Sequence, residues 1–96
     1  MRDVLIMPRA RRQIERAASW WDDHRDKAPD AFDEDLATSI AAIAANASIG
    51  VIVKRAMFPV RRILLPRIRY YLYYRLRGET IEVISVWHSS RNPPLL

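Results

Sequence analysis

The 96-residue sequence predicts an α+β fold: an N-terminal strand, a two-helix hairpin, then a three-stranded antiparallel meander, all forming one sheet with the helices on one face. Three observations lead there. Apolar residues recur at helical spacing as far as Asn46, β-branched and aromatic runs replace them after Val51, and Arg77-Gly78-Glu79 reads as a hairpin turn between two of those runs. A chain of this length supports one hydrophobic core, so residues 1–96 are expected to be one domain.

Asp3–Met7 is a short apolar run ended by Pro8, which predicts a strand followed by a helix with proline in its first turn. That helix is expected to reach about Lys27. Ala10, Ile14, Ala17, Ala18 and Trp21 share its buried face, while Arg9, Arg11, Arg12, Glu15, Arg16 and Asp23 fall mainly elsewhere around the axis. Trp20 cannot point with Trp21, so it covers the edge of the core or touches a neighbouring element. Lys27-Ala28-Pro29-Asp30 reads as a turn, with Asp30 capping a second helix. Phe32, Leu36, Ser39, Ile40 and Ile43 form the stripe of that helix, and its many alanines allow close approach to the first. It ends between Asn46 and Gly50.

Val51–Pro59 is either a loop or the start of a strand. Val60–Leu65, Ile68–Leu76 and Thr80–His88 are the meander, with Pro66 separating the first two. Alternation puts Arg69, Tyr71, Tyr73 and Arg75 on one face of the middle strand and Tyr70, Leu72, Tyr74 and Leu76 on the other. Leu72 and Leu76 are therefore expected against the helices, and Arg69 and Arg75 towards solvent or a partner. The N-terminal strand is expected to join as a fourth member of the sheet.

The charge is unevenly divided. Residues 1–50 hold 7 Lys/Arg against 9 Asp/Glu, a balance of −2, and residues 51–96 hold 9 against 2, a balance of +7. A field of that kind draws anionic partners, whether nucleic acid or an acidic protein segment. With no cysteine, disulfides, thiolate nucleophiles and Cys-rich zinc sites are excluded, which fits a reducing compartment and makes the cytoplasm the expected location. No apolar run approaches a membrane span, and Val4–Met7 is too short for a signal-peptide core. No cofactor and no metal are expected.

The last third of the chain carries a further pattern: Val60-Arg61-Arg62-Ile63, the tyrosine-rich Tyr70–Leu76, Gly78-Glu79, and Val86-Trp87-His88-Ser89-Ser90-Arg91. Together with Pro8-Arg9-Ala10, Ile14 and Trp21 in the first helix, and Phe32, Leu36 and Ile40 in the second, this order resembles the RelE/ParE superfamily of type II toxin–antitoxin toxins over nearly the whole chain. The resemblance implies a growth-inhibiting toxin neutralised by a cognate antitoxin whose acidic, apolar C-terminal segment wraps it. It also implies one of two targets. RelE-like toxins cleave mRNA on the ribosome, whereas ParE-like toxins poison DNA gyrase by contact. Operator DNA would be reached only indirectly, through the antitoxin.

Cleavage of mRNA needs a proton acceptor, an acid and cations around a phosphate. His88 supplies an imidazole, a side chain able to serve as acid or base, and Arg61, Arg62 and Arg91 supply guanidinium forks. The chain has only Lys27 and Lys54 as lysines, and Trp87 or His88 stands where typical RelE members carry a terminal-strand tyrosine. That departure favours the ParE-like reading, with an mRNA endoribonuclease using His88, Arg61, Arg62 and Arg91 as the alternative. For contact with antitoxin or target the candidates are Arg69, Tyr71, Tyr73, Arg75, Trp87 and Arg91. Against these roles stand plainer ones: a hydrogen-bonded structural His88, arginines on a solvated strand face, and tyrosines in the core or in cross-strand pairs.

Overall fold

A computed structural model describes residues 1–24, 28–94 and 96. The chain forms β1 (Val4–Ile6), α1 (Pro8–His24), α2 (Ala31–Ala45), β2 (Val51–Ile52), β3 (Arg61–Leu65), β4 (Tyr70–Arg77) and β5 (Thr80–His88). The sheet has five strands in the order β1-β5-β4-β3-β2. The two helices carry the chain from one edge to the other, and the meander brings it back. β1 lies parallel to β5, with Val4 opposite Ile81 and Ile6 opposite Val83; the other pairings are antiparallel. The strand count exceeds the expected four because Val51 and Ile52 pair with Arg62 and Arg61 before the backbone turns away.

Pro8 opens α1, where its missing N–H has no helical partner to lose. The expected end near Lys27 lies outside the described residues. Ala10, Ala17 and Trp21 are buried, with Ile14 and Ala18 packed beside them. Trp21 Nε1 donates to the Ala28 carbonyl at 2.7 Å, tying the end of α1 to the approach to α2.

Asp30 stands at the N-cap of α2, but its side chain makes no capping bond. Its backbone, at φ −93° and ψ −1°, is already helical, whereas a capping side chain needs an extended backbone to reach forward. Ala28 O and Asp30 O instead accept the N–H groups of Ala31 and Glu34. Phe32 and Ile43 are buried in the core, and Phe32 meets the Tyr70 ring edge-on.

β4 begins at Tyr70, two residues later than the pattern suggested. Ile68 and Arg69 belong to the turn after β3, and Arg69 takes the left-handed conformation, φ 64°. The buried carboxylate of Asp35 holds that turn by accepting the Arg67 and Ile68 N–H groups and the Arg67 guanidinium at 2.8 Å. This contact raises the Arg67 pKa further above its usual value, through the Asp35 hydrogen bond first. At the β4–β5 hairpin, Gly78 has φ 62°, as a II′-type turn requires at its first central position.

Leu72 and Tyr74 point into the core beside Ile81, Val83 and Val86. Leu76, expected there too, is half exposed, because it stands near the hairpin turn at the end of the sheet. The β4–β5 register shifts at Tyr73/Tyr74, from Tyr73 opposite Ser85 to Tyr74 opposite Val83, which leaves Ile84 without a partner. Gln13 of α1 answers the irregularity: its side-chain oxygen accepts the Val86 N–H at 2.8 Å and the Ser85 hydroxyl at 3.0 Å. The bulge therefore fixes α1 on β5. No helix among the described residues is long and apolar enough to cross a membrane.

Candidate functional site

β4 runs between two contrasting surfaces. At its Tyr70 end, α1 and the end of β5 enclose a cleft of about 460 Å³. Arg9, Arg12, Gln13, Arg16, Ala17 and Trp20 form one continuous helix face along it, at the i, i+3, i+4, i+7 spacing that brings side chains into line. The strand side supplies Tyr70, Val86, Trp87, His88 and the following Arg91. Four guanidinium groups and an imidazole thus share a wall that contains no carboxylate. His88 Nδ1 accepts the Ser90 N–H at 3.1 Å and shares a 2.7 Å hydrogen bond with the Ser90 hydroxyl. The His88 ring stands edge-on to Tyr70, and the Arg91 guanidinium lies 4.2 Å over the Trp87 ring. Burial pushes the Tyr70 phenol above its usual pKa, and the Arg91 charge opposes that rise.

At the other end of the same strand is an apolar groove lined by Ala47, Ile52, Pro59, Val60, Arg61, Tyr74, Arg75 and Leu76. Ile49, Val51, Ile52, Met57 and Leu76 are all large, apolar and exposed. The groove has a rigid floor. The Tyr74 hydroxyl donates to Ala47 O at 2.7 Å and accepts the Gly50 N–H at 2.9 Å, so the loop after α2 is fastened to the sheet. Gly50 is required by that approach, because a Cβ there would lie 2.5 Å from the Tyr74 oxygen. Burial raises the Tyr74 pKa, against the Gly50 hydrogen bond and the Arg61 charge.

The residues expected at a cleaving site are only partly brought together. His88 and Arg91 share the basic cleft. Arg61 is on β3 opposite Tyr74, and its guanidinium is bound to Gly50 O at 2.7 Å and Ser48 O at 3.2 Å. It lies four positions before Leu65, which pairs with Tyr70 beside His88; that is roughly 13 Å along the strand alone. Arg62 lies on the opposite face, 4.0 Å over the Tyr71 ring and 3.5 Å from the Tyr73 hydroxyl.

Among the candidate contact residues, Arg69 is exposed in the β3–β4 turn, and Tyr71 and Trp87 are half-buried opposite one another. Tyr73 is only 2% exposed. Arg75, expected towards solvent or a partner, is instead bound to the nearly buried Glu82 at 2.7 Å and sits 4.7 Å over the Phe58 ring. Glu82 is directly across the β-ladder, and a buried carboxylate holds a neighbouring cation inward.

The sequence reading missed Arg9, Arg12 and Arg16 as site residues. Their signal was present: spacings of three and four put them on one helix face, but the acidic balance of the N-terminal half concealed it. Among the described residues no cluster of His, Cys, Asp or Glu gathers that could hold a metal ion.

Fold and sequence together define a toxin of the type II toxin–antitoxin class. Residues 4–93 match the family described as "ParE toxin of type II toxin-antitoxin system, parDE", and the chain belongs to that family. It is thus the toxin component of such a module, with a cognate antitoxin as partner. A solved chain from the chromosomal ParDE toxin–antitoxin system of P. aeruginosa has a similar fold, with a TM-score of 0.69 at 15% identity over 92% of this chain and 96% of that one. No curated protein matches the sequence.

Proposed function

We propose that this toxin arrests growth by binding DNA gyrase, by contact and without turnover, and that its antitoxin neutralises it through an acidic, apolar C-terminal segment. The observation that supports gyrase over mRNA cleavage is the dispersal of the residues a cleaving site would use. Arg61 is occupied by backbone carbonyls at one end of the sheet, Arg62 by tyrosines on its other face, and His88 stands at the far end. The apolar groove around Leu76 and Ile52, with Arg61 and Arg75 at its rim, suits the antitoxin segment. Apolar burial would supply affinity there, and Arg61, held by neutral carbonyls and so still carrying net charge, would attract acidic side chains.

The test is to incubate purified toxin with gyrase and supercoiled plasmid. Toxin-dependent accumulation of linear, gyrase-linked DNA, suppressed by the antitoxin, is the expected result; no linear DNA at saturating toxin would overturn the reading. One observation favours the mRNA endoribonuclease as a second reading: His88 shares its cleft with Arg9, Arg12, Arg16 and Arg91. Translating ribosomes would then show codon-position cleavage that His88→Ala abolishes.

A further inference from the structure

We propose that the cleft between α1 and the end of β5 is a docking site for the phosphodiester backbone of duplex DNA, held by Arg12, Arg16 and Arg91, so that the toxin itself grips DNA. The choice of duplex DNA as occupant rests on the gyrase reading; the anion site does not.

Three features carry it. The first is uncompensated charge. Arg12, Arg16 and Arg91 line the cleft with Arg9 and His88, and no carboxylate lines it; Glu15 and Asp23 share the adjoining depression with Arg12 and Arg16, but none of the ion pairs among the described residues involves Arg12, Arg16 or Arg91. Elsewhere three arginines are matched by carboxylates, Arg2 by Glu79, Arg67 by Glu34 and Asp35, and Arg75 by Glu82, and the unmatched ones, such as Arg69 and Arg77, are not gathered in one cleft. Like charges three and four residues apart on a helix repel, so a polyanion across them gains most from binding there.

The second feature is length. Arg9 to Arg16 spans about 10 Å of helix axis at about 1.5 Å per residue. One strand of B-DNA presents about three phosphates over that distance, at about 3.4 Å per phosphate along the axis. The third is the state of the aromatic rings. Trp20 is stacked on His24 with centroids 4.4 Å apart, Trp87 carries Arg91 over its face, and Tyr70 has Phe32 and His88 edge-on to it. Neighbours take the Tyr70 edges and a Trp87 face, and of these three rings Trp20, 43% exposed, is the one with a broad open surface, too little for successive bases to stack on. That favours a duplex, whose bases stay paired and whose phosphates do the binding, over a single strand read by stacking.

The experiment is a salt titration of full-length toxin binding to a labelled 20-base-pair duplex, followed by fluorescence anisotropy, without gyrase. Three phosphate contacts give a slope of log K against log[salt] near −2.7, so raising salt fourfold weakens binding about 40-fold. The double variant Arg12→Gln/Arg16→Gln should lose about two units of slope and weaken only about threefold over the same range. Arg77→Gln, an exposed cation at the far hairpin, should leave the slope unchanged; circular dichroism checks that each variant is folded. The proposal is overturned if Arg77→Gln lowers the slope as much as the cleft variants. It is overturned equally if a single-stranded RNA or a poly-glutamate peptide binds the wild type tenfold more tightly than the duplex. Gyrase trapping is scored separately. DNA binding through the cleft without trapping would refute gyrase as target and leave the site standing. Trapping that survives the double variant, with no duplex binding, would refute the site alone.

Discussion

The two ends of β4 lie about 20 Å apart, six residues at about 3.4 Å each, and are built on opposite principles. At Leu76 the polar groups are satisfied internally: Arg75 by Glu82, Arg61 by backbone carbonyls, Tyr74 by Ala47 and Gly50. What remains exposed in the groove is mainly apolar, with Arg77 beyond it at the hairpin. At Tyr70 the aromatic rings of the strand side are satisfied by one another and by Arg91, and what remains exposed is cationic apart from Trp20. The contrast separates two tasks on one sheet. An apolar groove with a fixed floor suits a segment that folds as it binds, whereas a row of guanidinium groups suits a polyanion already ordered.

That contrast can be broken one residue at a time. Arg75→Ala should act most strongly, because it leaves the Glu82 carboxylate, 6% exposed, without its cation. The expected loss is about 3 kcal/mol of unfolding free energy by urea denaturation, the lower end for a broken buried pair, since Arg75 retains some access to water. Tyr74→Phe should follow at about 2 kcal/mol, because the Gly50 N–H and Ala47 carbonyl lose their partner.

The same residue gives the apolar end a pH signature. A phenol whose folded pKa is raised contributes stability that is complete below the unfolded value of about 10 and is lost as pH rises through the folded value. Wild type should therefore weaken in that alkaline window more than Tyr74→Phe does. Tyr70, raised by its own burial, adds a fall of the same sign in both proteins.

Leu76→Asp should barely change stability, since the side chain is half exposed, yet it should weaken antitoxin binding at least tenfold in calorimetry. The smallest effect has the opposite sign. Arg16→Gln removes a like-charge neighbour of Arg12 and should stabilise the fold by a few tenths of a kcal/mol in thermal melts, as expected where charge is retained for binding and not for folding.

Most of the framework was legible in the sequence because period and punctuation agreed. Pro8, the stripe of α2 from Phe32 to Ile43, Gly78 and the alternating tyrosines each marked an element that the structure contains. What escaped was set by partners distant in sequence. Ile68 and Arg69 read as strand, but Asp35, more than thirty residues earlier, draws their backbone into a turn. Arg75 read as solvent-facing because the buried Glu82 across the ladder carries no pattern of its own. The site was legible at His88 and Arg91 and illegible as a cleft, since half-chain charge sums cannot show that α1 from the acidic half lays its arginines against β5. Arg61 and Arg62, adjacent in sequence, face opposite sides of the sheet, and no spacing rule would have joined either to His88.

The division of labour between the two ends is tested most directly by one panel, in which wild type, Leu76→Asp and Arg12→Gln/Arg16→Gln are each assayed for gyrase trapping and for antitoxin affinity. Leu76→Asp should keep trapping and lose antitoxin affinity, while the arginine variant should keep antitoxin affinity and lose trapping. If both properties fall together in both variants, the two ends form one surface and the division is wrong.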